Sequence, residues 1–163
     1  RVLFRSANTS YTGGTSDSWS FYINGLQDYF FYNSGQSIQP TVGPTVGGNN
    51  IGMCAVDRVN NRIHFGYNGE WWTSTSSTST TLGTYAPYTS ASNPQFPSTG
   101  SLFPSFSGYN GTSGVWEANA NFGQDHTFAG ALAPLTSPYT DDDGNGEFRY
   151  QPPSGFKALA TSY

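Results

Sequence analysis

Gly114-Val115-Trp116-Glu117-Ala118-Asn119-Ala120-Asn121-Phe122-Gly123 is the stretch on which the reading of this chain turns. From Val115 to Phe122 the side chains alternate, with Trp116, Ala118, Ala120 and Phe122 on one face and Val115, Glu117, Asn119 and Asn121 on the other. A period of two is the mark of a half-buried strand, because successive side chains leave opposite faces of the pleat. The alternation predicts a core strand over 115–122, stopped by Gly123, with Ala118 and Ala120 leaving room for a facing sheet.

The rest of the chain agrees with a strand-and-turn protein. It has 163 residues, enough for one domain with a real core. Aromatics reach 17%, against 10% charged residues, and Gly, Pro, Ser, Thr and Asn are abundant. Aromatic and β-branched residues favour strands, whereas Gly, Asn and Pro make turns. Disordered chains are poor in aromatics, so this composition excludes disorder for the whole. Lys157 is the only lysine, and the net charge is −4. A phosphate-binding surface needs clustered cations, so nucleic acid is excluded as a partner. No apolar run approaches the ~20 residues of a membrane span. Cys54, the only cysteine, lies in the apolar run 51–56 and reads as a buried, inert thiol. A start at Arg1 reads as a piece or processed product of something longer.

Taken in order, short strands are predicted at 2–4, 18–23 and 27–32, with Asn24-Gly25 as the tight turn of a hairpin. Residues 33–50 read as connection. Strands at 51–56 and 62–67 follow, the second ended by Asn68-Gly69. Beyond Trp71-Trp72 the Ser/Thr tract 73–81 has no period and reads as the start of a long loop reaching Gly100. Further strands are expected at 102–106 and 147–150. Many short strands with frequent turns and no helical period predict an all-β protein, an antiparallel two-sheet β-sandwich spanning residues 1–163.

Four segments carry a resemblance: Asn50-Ile51-Gly52-Met53-Cys54-Ala55-Val56-Asp57, Ile63-His64-Phe65-Gly66-Tyr67-Asn68-Gly69-Glu70-Trp71, Asn119-Ala120-Asn121-Phe122-Gly123-Gln124, and Tyr150-Gln151-Pro152-Pro153-Ser154-Gly155-Phe156-Lys157-Ala158-Leu159. In order and approximate spacing they resemble the SPRY domain, a concanavalin A-like sandwich. The set formed by Asn121 to Gly130, Gly146-Glu147-Phe148 and Tyr150 to Leu159 is similar to SPRY-like modules of bacteriophage structural proteins, marine phages included. The resemblance covers about residues 50–163, and the family's usual first strands are not visible before Trp19.

Three constellations invite chemistry. Asp141-Asp142-Asp143-Gly144-Asn145-Gly146 satisfies the first half of an EF-hand loop, which makes Asp141, Asp143 and Asn145 candidate calcium ligands. The twelfth position is Pro152 rather than Glu, and Asp and Asn favour plain turns too, so an acidic turn is the other reading. Glu117, Asp125 and Glu147 raise a glycosidase reading, but Glu117 has no acidic neighbour on its face of the predicted strand. His64 alternates outward from Ile63 and Phe65 and reads as a surface residue; His126 falls in a loop. Two histidines without a nearby cysteine make a poor zinc site.

Trp71, Trp72, Tyr85 and Tyr88 flank or lie in the long polar loop and are candidate binding residues, since flat rings supply contact area at little entropic cost. The bland alternative is that Trp71 packs on a sheet edge and the tyrosines pin the loop. The resemblance and the missing catalytic constellation imply a non-catalytic module of a phage or virus virion protein. Its partners would be other virion proteins or a host-surface glycan or protein, and it could form an oligomer within the particle. No cofactor is expected apart from the calcium candidate. A cellular or secreted, extracellular lectin-like SPRY module is the alternative, with a glycoside-cleaving enzyme a more distant third.

Overall fold

The computed structural model describes residues 3–5, 18–24, 28–33, 36–38, 50–85, 102–105 and 119–159. The chain divides into two compact units, Arg1–Trp116 and Glu117–Tyr163.

Among the described residues nine strands lie in the first unit: β1 Leu3–Arg5, β2 Ser18–Asn24, β3 Asp28–Asn33, β4 Gln36–Ile38, β5 Gly52–Asp57, β6 Arg62–Tyr67, β7 Glu70–Ser74, β8 Ser77–Ser79 and β9 Phe103–Ser105. There is no helix among the described residues. One sheet has the order β4-β3-β2-β1-β9 and the other β5-β6-β7-β8, and every pairing is antiparallel. In the first sheet the β2–β3 register runs from Ser20↔Tyr32 to Asn24↔Asp28, which is the hairpin expected around Asn24-Gly25. Pro104 sits in β9, at the end of the sheet order, where a residue without an N–H costs the ladder least.

The second sheet is a meander whose turns are written in its sequence. Asp57 ends β5 by accepting the Val59 and Asn60 amides at 3.0 and 2.9 Å on Oδ1 and the Asn60 side-chain amide at 2.6 Å on Oδ2. Asn68 and Gly69 then form a two-residue turn with φ of 46° and 90°, while Tyr67 pairs with Glu70. Positive φ at both central residues gives the twist that matches two flanking strands. The Asn68 side chain also staples the sheet edge, accepting the Ile51 amide at 2.8 Å and donating to Asn50 Oδ1 at 2.8 Å.

Part of the Ser/Thr tract departs from the loop expectation. It completes β7 and forms β8, with Trp71↔Ser79 and Trp72↔Thr78 in register and a bulge between Trp72 and Ser74. Thr78 Oγ1 donates to Glu70 Oε2 at 2.5 Å across the pair. Strand formation here is driven by an available neighbour rather than by a hydrophobic period, so the tract carried no periodic signal.

Among the described residues the apolar core is Ala55, Ile63, Phe65, Trp71 and Trp72. Ile63 to Gly66 of β6 are buried without interruption, and so are the consecutive Trp71 and Trp72. Consecutive strand residues point to opposite faces, so both faces of this sheet are withdrawn from water. This corrects the outward assignment of His64, which is 3% exposed. Gly66 is required by the crowding: a Cβ there would meet the Glu70 carbonyl oxygen, Met53 Cε at 2.9 Å and Trp71 Cε3 at 3.0 Å.

Among the described residues the second unit contains one bridge, Tyr139↔Phe148, whose Phe148 lies within the stretch expected to be a strand at 147–150. The predicted strand 115–122 lies outside the described residues at 115–118, and its remainder, 119–122, is not a strand. Asn121 Oδ1 accepts the Gly123 and Asp125 amides at 2.8 and 3.1 Å. Gln124 reaches back to the Ala120 carbonyl and the Phe122 amide at 2.8 and 2.6 Å. Polar side chains that bond their own backbone offer it an alternative to a sheet ladder, and here that alternative wins.

Candidate functional site

The second unit is built around a clamp. Asp141 is 5% exposed. Its Oδ1 accepts the Asp143 and Asn145 amides at 3.0 and 2.8 Å, and its Oδ2 accepts the Ala158 amide at 3.0 Å. The turn is closed by backbone bonds from Asp141 N to Asn145 O and from Gly144 N to Asp141 O, both 2.9 Å. Asp142 Oδ2 accepts the Gly155 amide at 2.7 Å and the Ser154 hydroxyl at 2.9 Å. Asp143 Oδ2 is 2.5 Å from Lys157 Nζ. Each of the three carboxylates thus grips the segment Ser154–Ala158.

The electrostatics follow from these donors. The Ala158 and Asn145 amides hold the Asp141 carboxyl below the ordinary aspartate range, and the Gly155 amide with the Ser154 hydroxyl does the same for Asp142. The hydrogen bond to Asp143 raises the Lys157 ammonium. The expected calcium ligands Asp141, Asp143 and Asn145 therefore share one turn, but the Asp141 and Asp143 oxygens face N–H donors. Among the described residues no group of three or more His, Cys, Asp or Glu is arranged to hold a metal ion.

Beside the clamp, two glycines meet. A Cβ on Gly123 (φ 113°) would lie 2.9 Å from Ala158 Cβ and 3.2 Å from Phe148 Cζ. A Cβ on Gly146 (φ 86°) would lie 2.7 Å from Phe148 Cε2 and 3.3 Å from both Ala158 Cβ and Gly123 Cα. The Glu147 amide donates to Gly123 O at 2.8 Å, and Asn121 Nδ2 donates to Glu147 O at 2.7 Å. The segments Asn121–Asp125, Gly146–Phe148 and Ser154–Ala158 converge at this node.

His126 lies in a loop as expected and is 8% exposed. Its Nε2 accepts the Leu135 amide at 3.0 Å, so Nδ1 carries the ring proton and donates to Glu147 Oε2 at 3.0 Å. Both ring nitrogens are committed to holding the loop 127–135. Asp125 caps the same loop through the Thr127 and Ala129 amides, each at 2.7 Å, and the Thr127 hydroxyl at 2.6 Å. Those bonds, the Thr127 hydroxyl first, hold its carboxyl below the ordinary range. Asp125 and Glu147 are thus spent on backbone and imidazole donors, and Glu117 lies outside the described residues. The Asx signals Asn121-Phe122-Gly123 and Asp125-His126-Thr127 were the available clue to this capping.

The aromatic candidates fall differently. Trp71 and Trp72 are 5% and 1% exposed, and the Trp72 ring stands 5.0 Å from that of Tyr67 at 54°. They are core residues of the meander, not a stacking platform, because burying their large surface outweighs what exposure offers. Tyr85 is half-buried; its carbonyl accepts the His64 Nδ1 proton at 2.9 Å, and its Oη is buried with no partner among the described residues. Tyr88 lies outside the described residues. Burial pushes the Cys54 thiol well above its usual range, so the reactive thiolate is disfavoured. Among the described residues no helix is long and apolar enough to cross a membrane. No protein-family model, curated protein or solved structure matches the chain.

Proposed function

We propose that this chain is a non-catalytic β-sandwich module of the SPRY type within a phage or virus virion protein, presenting loops to another virion subunit or to a host-surface glycan or protein. The observation that carries this reading is the node at Gly123, Gly146 and Ala158. Three segments on which the resemblance rests meet there, through the backbone bond from the Glu147 amide to Gly123 O and through the close approach of Gly123 and Gly146 to Ala158 and Phe148 that only glycine permits. Motifs that pack together behave as one structural signature rather than three coincidences. The engagement of Asp125, Asp141, Asp142 and Glu147 in loop capping adds support for a scaffold role over an acid–base one. In such a scaffold the rigid turns hold the loops that meet the partner.

The test is sedimentation of native particles followed by peptide mass spectrometry. Peptides of this chain co-migrating with virions through a density gradient, and resisting a salt wash, are the expected result. A species that never leaves the soluble fraction overturns the virion assignment, and a glycan array would then examine the lectin-like alternative.

A further inference from the structure

The chain contains four Asn-Gly pairs, and both residues are described at Asn68-Gly69 and Asn145-Gly146. An asparagine followed by glycine is chemically exposed, because no Cβ shields the next backbone nitrogen from the side-chain carbonyl carbon. The two pairs differ in what the fold does with the amide. The Asn68 side chain is fixed at both ends, Oδ1 by the Ile51 amide and Nδ2 by Asn50. Asn145 is exposed, and among the described residues its side-chain amide makes no hydrogen bond and the Gly146 N–H donates to nothing. The bonds that pin Asn145 run through its own N–H and carbonyl to Asp141, leaving the two reacting atoms outside that ladder.

We propose that Asn145 is a self-modification site, losing its amide nitrogen to give a succinimide and then aspartate and isoaspartate, whereas Asn68 is protected. The Gly146 backbone nitrogen attacks Asn145 Cγ, giving up its proton to a solvent base. The new C–N bond closes a five-membered ring, and the Cγ–NH2 bond breaks as ammonia leaves with a proton from water. Water then opens the ring. Attack at Cγ gives Asp, and attack at the α-carbonyl gives isoaspartate, whose main chain runs through the former side chain. Neighbouring Asp143-Gly144 is a poorer electrophile, since a carboxylate resists attack by a backbone nitrogen, and the Asp143 side chain is paired with Lys157.

The isoaspartyl product matters because of where it forms. It adds a methylene to the main chain beside Gly146, where a single added carbon already collides with Phe148. It also removes from the main chain the carbonyl that accepts the Asp141 amide. The clamp on Ala158 is thereby loosened by a chemical clock rather than by a ligand.

The full chain, folded and in concentrated urea, would be incubated at mildly alkaline pH. Peptide mapping and isoaspartyl methyltransferase labelling would then follow each pair. Conversion at Asn145 in the folded chain is expected within about tenfold of the unfolded rate, with Asn68 slowed more than about a hundredfold, since it reacts only through local opening. Equal protection of the two sites, or label appearing at Asn68 first, overturns the proposal. In Asn145→Ser the label should vanish from that peptide; its persistence there would also overturn it. Amide exchange on the isoaspartyl fraction should show faster exchange at Ala158 than in the unmodified protein, and unchanged exchange would refute the loosened clamp.

Discussion

Asp141 and Ala158, 17 residues apart in the chain, are joined by a 3.0 Å hydrogen bond from the Ala158 amide to Asp141 Oδ2. The same carboxylate closes its own turn through Asp143 and Asn145, so one side chain ties an acidic loop to the chain just after the Pro-Pro-Ser-Gly-Phe segment. Asp141→Ala is expected to lower the Tm by on the order of 5 °C, with Asp141→Asn in between, since the amide side chain keeps one acceptor oxygen. Differential scanning calorimetry of the three proteins checks the order.

The pH dependence of this clamp has a definite sign. A carboxyl held below the ordinary aspartate value of 3.8 contributes stability that is complete above that value and is lost as pH falls through the folded one. The stability gap between wild type and Asp141→Asn should therefore be constant from neutral pH down to about that value and close below it. Urea melts across the acid range would show it; a gap that stays open in strong acid would contradict the assignment.

Gly144 and Gly146 both adopt positive φ, at 80° and 86°, but a Cβ at Gly144 meets nothing within 4 Å. Gly144→Ala should cost only the backbone penalty, about 1 kcal/mol. Gly146→Ala should cost at least about 1–3 kcal/mol more, because the new carbon overlaps the Phe148 ring. Denaturant melts of the two variants separate conformational strain from crowding.

Trp72 is 1% exposed, so Trp72→Ala should destabilise the first unit by about 3–5 kcal/mol. Its fluorescence in the folded protein should resist acrylamide quenching. A tolerated Trp72→Ala with undiminished stability would return this residue to the surface.

His64 is buried and its ring is held neutral, burial pulling it below the ordinary histidine value of 6.5. Below that value the unfolded chain takes up a proton that the folded one refuses, so stability falls with decreasing pH from there down to the folded value. His64→Phe should lose this slope while costing about 1–3 kcal/mol at neutral pH through the orphaned Tyr85 carbonyl. Melts between neutral pH and the mildly acid range distinguish the two proteins.

How much was legible beforehand depended on how local the deciding physics was. Asp57 and Asn68-Gly69 set their hairpins through side-chain bonds and dihedrals of their own, and the pairing of Asn24 with Asp28 matches the tight-turn signal at Asn24-Gly25. The strand expected at 115–122 failed over 119–122 because Asn121 and Gln124 can bond backbone as readily as they can alternate. Trp71 and Trp72 could be read either as candidate binding residues or, for Trp71, as packing on a sheet edge, because the Ser/Thr residues after them gave no sign of β8.

By itself the sequence determined the strand-and-turn class and several turn positions, since these follow from steric rules acting over a few residues. Only the tertiary structure decided which polar groups were structural. That Asp141 meets the Ala158 amide, and that His64 and His126 are buried, depends on partners 9 to 21 residues away. A buried polar group takes its role from the partner that satisfies it, and that partner is set by the fold rather than by the neighbouring residues.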